Sequence, residues 1–422
     1  MRGVILQPVC TAIVLATPII VTAQAPESAQ AYRYVLTSAK ANLATDAFAI
    51  SQRDLPELKT GAWSVRKTAL HGGKQEGAEL ITIDNGKLRI ALVPTRGMSI
   101  LEVRSGDLRL GWDSPVKEVV HPQFIDLQTR GGLGWLEGFN EAMVRCGLEF
   151  AGHPGRDEFF DNTGAKAEMD LTLHGKIGNI PASEVEVLVD RTPPYRIHVL
   201  GTVHERSFYG PKLELRTAVS TIPGSAEFRI DDTVTNRGAM PQEFQLIYHT
   251  NFGAPLLEAG STVLAAVDRI APMNDHAARA IAQYATYGGP TTGFIEQVYL
   301  IWPLADAEGR TGVLLRNKSG DRGISIHWST RDLPYLTIWK NTAAEADGYV
   351  TGLEPGVGFP FNRSVERQTG RLPRLAPGET RRFGLEFGLH SGGAAVFDAV
   401  RQIESLQRGR EPRVETKPPA GH

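Results

Sequence analysis

The sequence predicts an all-β protein: a large β-sandwich with one helix near the carboxy terminus. Three observations carry this. Runs of alternating apolar and polar residues recur along the chain, at the period of two that a pleated strand gives. Glycine (44) and proline (26) are spread through the sequence rather than gathered into a tract, which suits many short strands joined by turns. Helical pattern is scarce. Helices do not alternate with strands, so a parallel α/β sheet is not expected.

Residues 1–23 read as a signal peptide. Arg2 supplies a positive start, and Val9 to Val21 is apolar apart from Thr11, Thr17 and Pro18. That run is too short to span a bilayer comfortably. Cleavage is expected after Ala23, with Ala31 as the second choice. The mature chain is then exported to the periplasm or secreted, with no membrane association. Cys10 lies in the leader and Cys146 is the other cysteine, so cleavage leaves no intrachain disulfide. Cys146 reads as a buried, inert thiol.

Residues 32–408 are expected to form a single domain. The alanine-rich run from Thr37 to Phe48 suggests a short helix. Leu80 onward reads as a hairpin about Asn85-Gly86, the favoured two-residue turn. Residues 113–166 are rich in glycine and predict a long loop region, held in order by Trp135, Phe139 and Phe150. Strands follow over 168–173, 184–190, 196–204, 212–221, 227–235, 242–249, 262–267, 297–302, 312–316, 323–328, 335–339 and 381–389. Asp275–Ala282 suggests another short helix. Ala394–Gln407 places Val396, Val400, Ile403 and Leu406 on one helical face. The tail, residues 409–422, is polar and contains proline, and is expected to be disordered.

Charge excludes some functions. Lys+Arg is 45 against Asp+Glu 47, a net charge of −2, with no basic patch to hold nucleic acid. No cluster has convincing metal-ligand spacing, and no glycine-rich phosphate cradle leads from a strand into a helix. No cofactor is expected.

Three places put a titratable side chain beside a turn: His174 in Leu173-His174-Gly175-Lys176, His249 in Tyr248-His249-Thr250-Asn251-Phe252, and Glu354 in Leu353-Glu354-Pro355-Gly356. Each is expected at a strand end, where a rigid scaffold hands over to a loop. Taken singly, a histidine at a sheet rim ordinarily finds a hydrogen-bond partner, and a turn glutamate is ordinarily solvated.

Together, and in this order, these motifs resemble the galactose mutarotase-like (aldose 1-epimerase) superfamily. His249 and Phe252 keep the spacing of its His-x-Tyr-Phe-Asn motif. Leu173-His174-Gly175 matches its Leu-His-Gly-Gly element. Leu353-Glu354 and Leu375-Ala376-Pro377-Gly378-Glu379 resemble two downstream elements. The resemblance runs from about Ile81 to His390 and marks a divergent branch. The family's arginine-bearing element has no clear match, and Arg145 or Arg156 would have to stand in for it.

The resemblance implies a sugar site on one face of a large sandwich, with a sugar or saccharide end as the partner. It also implies an enzyme, an isomerase that exchanges sugar anomers by ring opening. Glu354 would be the base and His249 the acid, protonated near pH 7 because imidazole titrates there. His174 would bind a sugar hydroxyl. Arg96, Asn251, Trp339 and Lys340 are further pocket candidates, although Trp339 also suits a core and Lys340 a solvated surface. Two other readings stay open. One is a carbohydrate-binding protein without catalysis. The other is a lyase or hydrolase on the same scaffold, although a hydrolase needs paired carboxylates. The export reading carries its own check. Amino-terminal sequencing of exported protein should begin at Gln24 or Tyr32, and an intact Met1 on a soluble cytoplasmic protein would contradict it.

Overall fold

The computed structural model describes residues 30–419. The expected signal peptide and the last residues of the tail lie outside that range.

Two large sheets dominate, one of ten strands and one of thirteen. They share one apolar core. Val187, Val199, Leu215 and Ile230 of the ten-stranded back sheet join Ile81, Ile90, Ile100, Tyr248 and Ile338 of the thirteen-stranded site sheet in a single cluster. This is the expected β-sandwich. The back sheet is largely an antiparallel meander through Glu184–Asp190, Ile197–Arg206, Lys212–Thr221 and Glu227–Asn236. Its strands alternate buried and half-exposed residues, so their periodicity is plain in the sequence. The long helix is Gly393–Gln407, which buries Val396, Ala399, Val400 and Ile403.

The site sheet has at its centre the run Tyr335–Asn341, Val350–Gly356, Gln245–Phe252 and Met143–Leu148, each antiparallel to the next. Every residue of the last three strands is buried. One face meets the back sheet. The other is covered by Trp112, Trp135 and Phe139, which pack on Val144, Cys146, Ile247 and Val350. Such strands lose the clean polar–apolar alternation.

Four expectations need correction. Thr37 to Phe48 forms no helix; strands Ala31–Ser38, Leu43–Ala44 and Ala47–Ser51 occupy it. Alanine is the best helix former, but such propensity is small beside tertiary pairing, and pairing of Ala31–Ser38 with Glu184–Asp190 overrides it. Asn85-Gly86 does not make a two-residue turn, because Asp84 pairs with Arg89 and four residues intervene. Asn85 is buried there, and its Nδ2 reaches Thr221 Oγ1 at 2.7 Å, stapling the hairpin to the back sheet. The region 113–166 contains a central strand, Met143–Leu148, as well as loops. The tail is not wholly disordered: Arg413–Val414 adds a short parallel strand beside Arg269 and Ile270.

Behind the site, an ion pair ties the two sheets together. Arg145 donates from Nε to Asp232 Oδ2 at 2.5 Å and from Nη2 to Oδ1 at 2.9 Å. Tyr248 donates its hydroxyl to the same carboxylate at 2.8 Å. Both charged side chains are fully buried. Removing one partner strands the other charge out of water, which costs about 3–5 kcal/mol. Asp232→Ala should therefore lose roughly that much stability in urea unfolding. Replacing both residues with apolar ones (Arg145→Met with Asp232→Leu) should lose much less. A single variant as stable as the wild type would contradict this account.

Candidate active site

Strand parity decides which side chains can meet. His249 pairs with Val144, and Asn251 lies opposite Gly352. Gly352 in turn lies opposite Trp339. Residues two apart share a face. Val144, Cys146, Ile247, His249, Asn251, Gly352, Glu354 and Trp339 therefore project together, away from the back sheet. Contacts bear this out. His249 Nε2 stands 3.2 Å from Glu354 Oε1. The His174 and His249 rings meet edge to face with centroids 5.2 Å apart. Trp339 stands edge-on to His249 at 5.4 Å.

His249 and Glu354 lie within strands rather than at strand ends. Neither borders a turn, and both form the buried floor of the cluster, 4% and 2% exposed. His174 does sit in a turn, with φ of 59°, a left-handed backbone that costs a non-glycine residue energy. Backbone bonds hold it there: His174 N donates to Gly152 O at 3.0 Å, and Gly147 N donates to His174 O at 3.1 Å. Gly352 leaves the space that the Glu354 carboxyl occupies, since a Cβ there would come within 2.4 Å of Oε1.

The walls are aromatic. Trp135 packs against His174 at 4.6 Å and against Phe139 at 4.6 Å, and Phe139 meets His249 at 5.3 Å. At the rim, half-buried Trp339 donates its indole N–H to the exposed Glu296 at 2.7 Å. Trp135, Phe139 and Glu296 were not among the sequence candidates for the site. The first two were visible only as aromatics in a glycine-rich stretch. Glu296 carried no signal, since nothing in the sequence joins it to Trp339.

Burial sets the charges. Desolvation pushes the Glu354 carboxyl well above the ordinary carboxylate range, and the negative charge of Glu296 adds to it. Desolvation pulls His249 well below ordinary imidazole, with His174 contributing. His174 falls to about 4 for the same first reason. The imidazolium expected at His249 near pH 7 is therefore disfavoured in the resting protein. Burial likewise raises the Cys146 thiol, which leaves it inert. His249 and Glu354 are close but not aligned as a hydrogen bond, and Oε1 has no partner among the described residues. Catalytic contacts are often loose before substrate binds.

Other candidates fall elsewhere. Lys340 follows Trp339 on the same strand and so points the opposite way. Its Nζ donates to Gln283 O at 2.9 Å and Thr286 O at 2.6 Å, and burial lowers its pKa to about 8. Arg96 is fully buried and donates to Glu141 Oε1 at 2.5 Å, joining the cluster only through Glu141, whose carbonyl accepts from Asn251 at 3.0 Å. Arg145 is committed to Asp232. Arg156 is exposed and pairs with Glu168. Neither replaces the arginine of the resembled family. Among the described residues, no group of three His, Cys, Asp or Glu is placed to hold a metal ion.

The chain matches the family described as a domain of unknown function, DUF4432, over residues 75–389. No curated protein matches it. Among solved structures, a protein from Klebsiella pneumoniae named as a "putative aldose 1-epimerase" is 42% identical. That match covers 93% of this chain and 100% of that one, with a TM-score of 0.87. A galactose mutarotase-like protein from Clostridium acetobutylicum is 14% identical over 78% of this chain and 98% of its own, with a TM-score of 0.53. At that identity the likeness speaks for the fold alone. The chain belongs to the DUF4432 family and has the galactose mutarotase-like fold.

Proposed function

We propose that the protein exchanges the anomers of an aldose by opening and reclosing the sugar ring, with His249 and Glu354 as the acid–base pair. One observation carries this reading: the two groups lie 3.2 Å apart on the floor of an aromatic-walled site. Ring opening needs a proton given to the ring oxygen and another taken from the C1 hydroxyl. Both oxygens are bonded to one carbon, so the donor and acceptor must be neighbours. A glycosidase needs two carboxyl groups roughly 5 Å or more apart. The name of the Klebsiella relative agrees with an epimerase. Trp339 supplies a ring face for the sugar, and His174, neutral at pH 7, accepts a hydrogen bond from a sugar hydroxyl.

The test is NMR exchange spectroscopy between anomers across a panel of aldoses. The wild type should exceed the solvent rate on at least one. Glu354→Gln and His249→Asn should each lose about 10²–10⁴-fold, and the double variant less than the product, because the pair acts as a unit. Trp339→Ala should mainly raise KM. Saturable binding with no catalysed exchange on any aldose would favour a binding protein instead.

Burial of Glu354 also makes a stability prediction. Its folded-state pKa is raised, so its contribution is complete at low pH and is lost as pH climbs past the unfolded value of about 4.3. Glu354→Gln removes that loss. Its melting temperature should match the wild type near pH 4 and exceed it increasingly above, as expected where stability is given up for function. A difference independent of pH would contradict the charge state assigned to Glu354.

A further inference from the structure

Asn251 fixes which nitrogen of His249 carries the proton. Its side chain is completely buried. Its Nδ2 donates to Glu141 O at 3.0 Å and to His249 O at 3.3 Å. An atom facing two carbonyl oxygens must be the nitrogen, so the amide orientation follows from the network. Oδ1 is then turned towards His249 Nδ1 at 2.8 Å, and Nδ1 must carry the hydrogen. In the neutral ring, Nε2 is left bare, and Nε2 is the atom beside Glu354. His174 is fixed in the same way, with Nδ1 3.0 Å from Ala151 O. Burial favours the neutral form of both rings, and in that form both offer Nε2 as an acceptor, which leaves the Glu354 carboxyl to give a proton.

The anchor behind Asn251 is rigid. Glu141 is fully buried, its carboxylate is paired with Arg96, and its carbonyl also accepts from Trp112 Nε1 at 3.2 Å. Asn251 stands where the resembled motif carries tyrosine.

We propose that Asn251 is a positioning residue that locks His249 as the Nδ1–H tautomer, so that His249 takes the sugar's proton and Glu354 gives one. This rests on the anomer-exchange reading and reverses the roles implied by family resemblance. In the step, the C1 hydroxyl proton passes to His249 Nε2 and its O–H electrons form the carbonyl at C1. The C1–O5 bond breaks, and its electron pair stays on O5, which takes the Glu354 proton. The pair is then carboxylate and imidazolium. After rotation about C1–C2, O5 attacks C1 and returns its proton to the carboxylate. The imidazolium protonates O1, and the neutral pair is restored. Burial favours a neutral pair at rest, which agrees with this order. Of the other titratable groups, His174 acts on His249, Glu296 on Glu354 and His153 on His174, while Glu354 itself acts on Cys146.

The test reads His249 directly. In protein labelled with ¹⁵N-histidine, the His249 signals are identified by their absence from His249→Asn. At pH 7, Nδ1 should be protonated and Nε2 bare. An imidazolium or an Nε2–H tautomer would overturn the proposal. Asn251→Leu should mix the tautomers and cut exchange by about 10²-fold or more, chiefly in kcat. Asn251→Asp keeps the acceptor and adds a charge beside Nδ1. It should preserve the tautomer and move the acid limb of the rate profile to higher pH. Wild-type nitrogen shifts and pH profiles in both variants would also overturn it. Should the wild type exchange no aldose, the functional reading fails, while the nitrogen shifts still decide the lock.

Discussion

An imidazole and a carboxyl taken out of water side by side set the conditions for the rest of this site. A charge on either is costly in a buried place, so each moves towards its neutral form. The fold maintains that cost from both sides. Trp135 and Phe139 cover His249 from the front. From behind, Arg145 and Asp232 neutralise one another between the sheets and keep a full charge off the His249 face. Gly352 gives the carboxyl its place, and Asn251 gives the imidazole its orientation. The outcome is a buried pair in which each group is pushed towards its neutral form. A reaction that moves a proton in and another out at a single carbon needs just such a pair.

Much of the fold was legible because the back sheet exposes one side of its strands. Glu184–Asp190 and Ile197–Arg206 alternate cleanly, and the sequence shows it. Met143–Leu148 escaped notice because it is buried on both faces and ends in Gly147-Leu148, amid glycines that read as loop. The helix expected over Thr37 to Phe48 rested on alanine content, which sheet pairing outweighs. The same double burial explains why His249 and Glu354 were read at strand ends. Their neighbours Asn251 and Gly352 look like turn residues, yet continue the strands.

The members of the candidate site were legible singly, and their arrangement less so. His174, His249 and Glu354 meet, although nothing but motif order joined them in the sequence. Trp339 and Lys340 could not both face the site, and strand parity separates them. Arg96 turned out to be an anchor, reaching the histidine through Glu141 and Asn251. Glu296 could be found only in three dimensions, by its bond to Trp339. A groove of about 460 Å³ lies on the solvent side of the back sheet, lined by Arg33, Glu186, Arg216 and Asp231 among others. It holds neither His249 nor Glu354.

That contrast gives the most direct test of the central claim. A crystal of the protein soaked with an aldose should show the anomeric carbon above His249 and Glu354. One of its two oxygens should lie within hydrogen-bond distance of His249 Nε2 and the other within that distance of the Glu354 carboxyl, with the sugar against Trp339. A sugar seated in the groove between Arg33 and Arg216, with the pair untouched, would contradict the account.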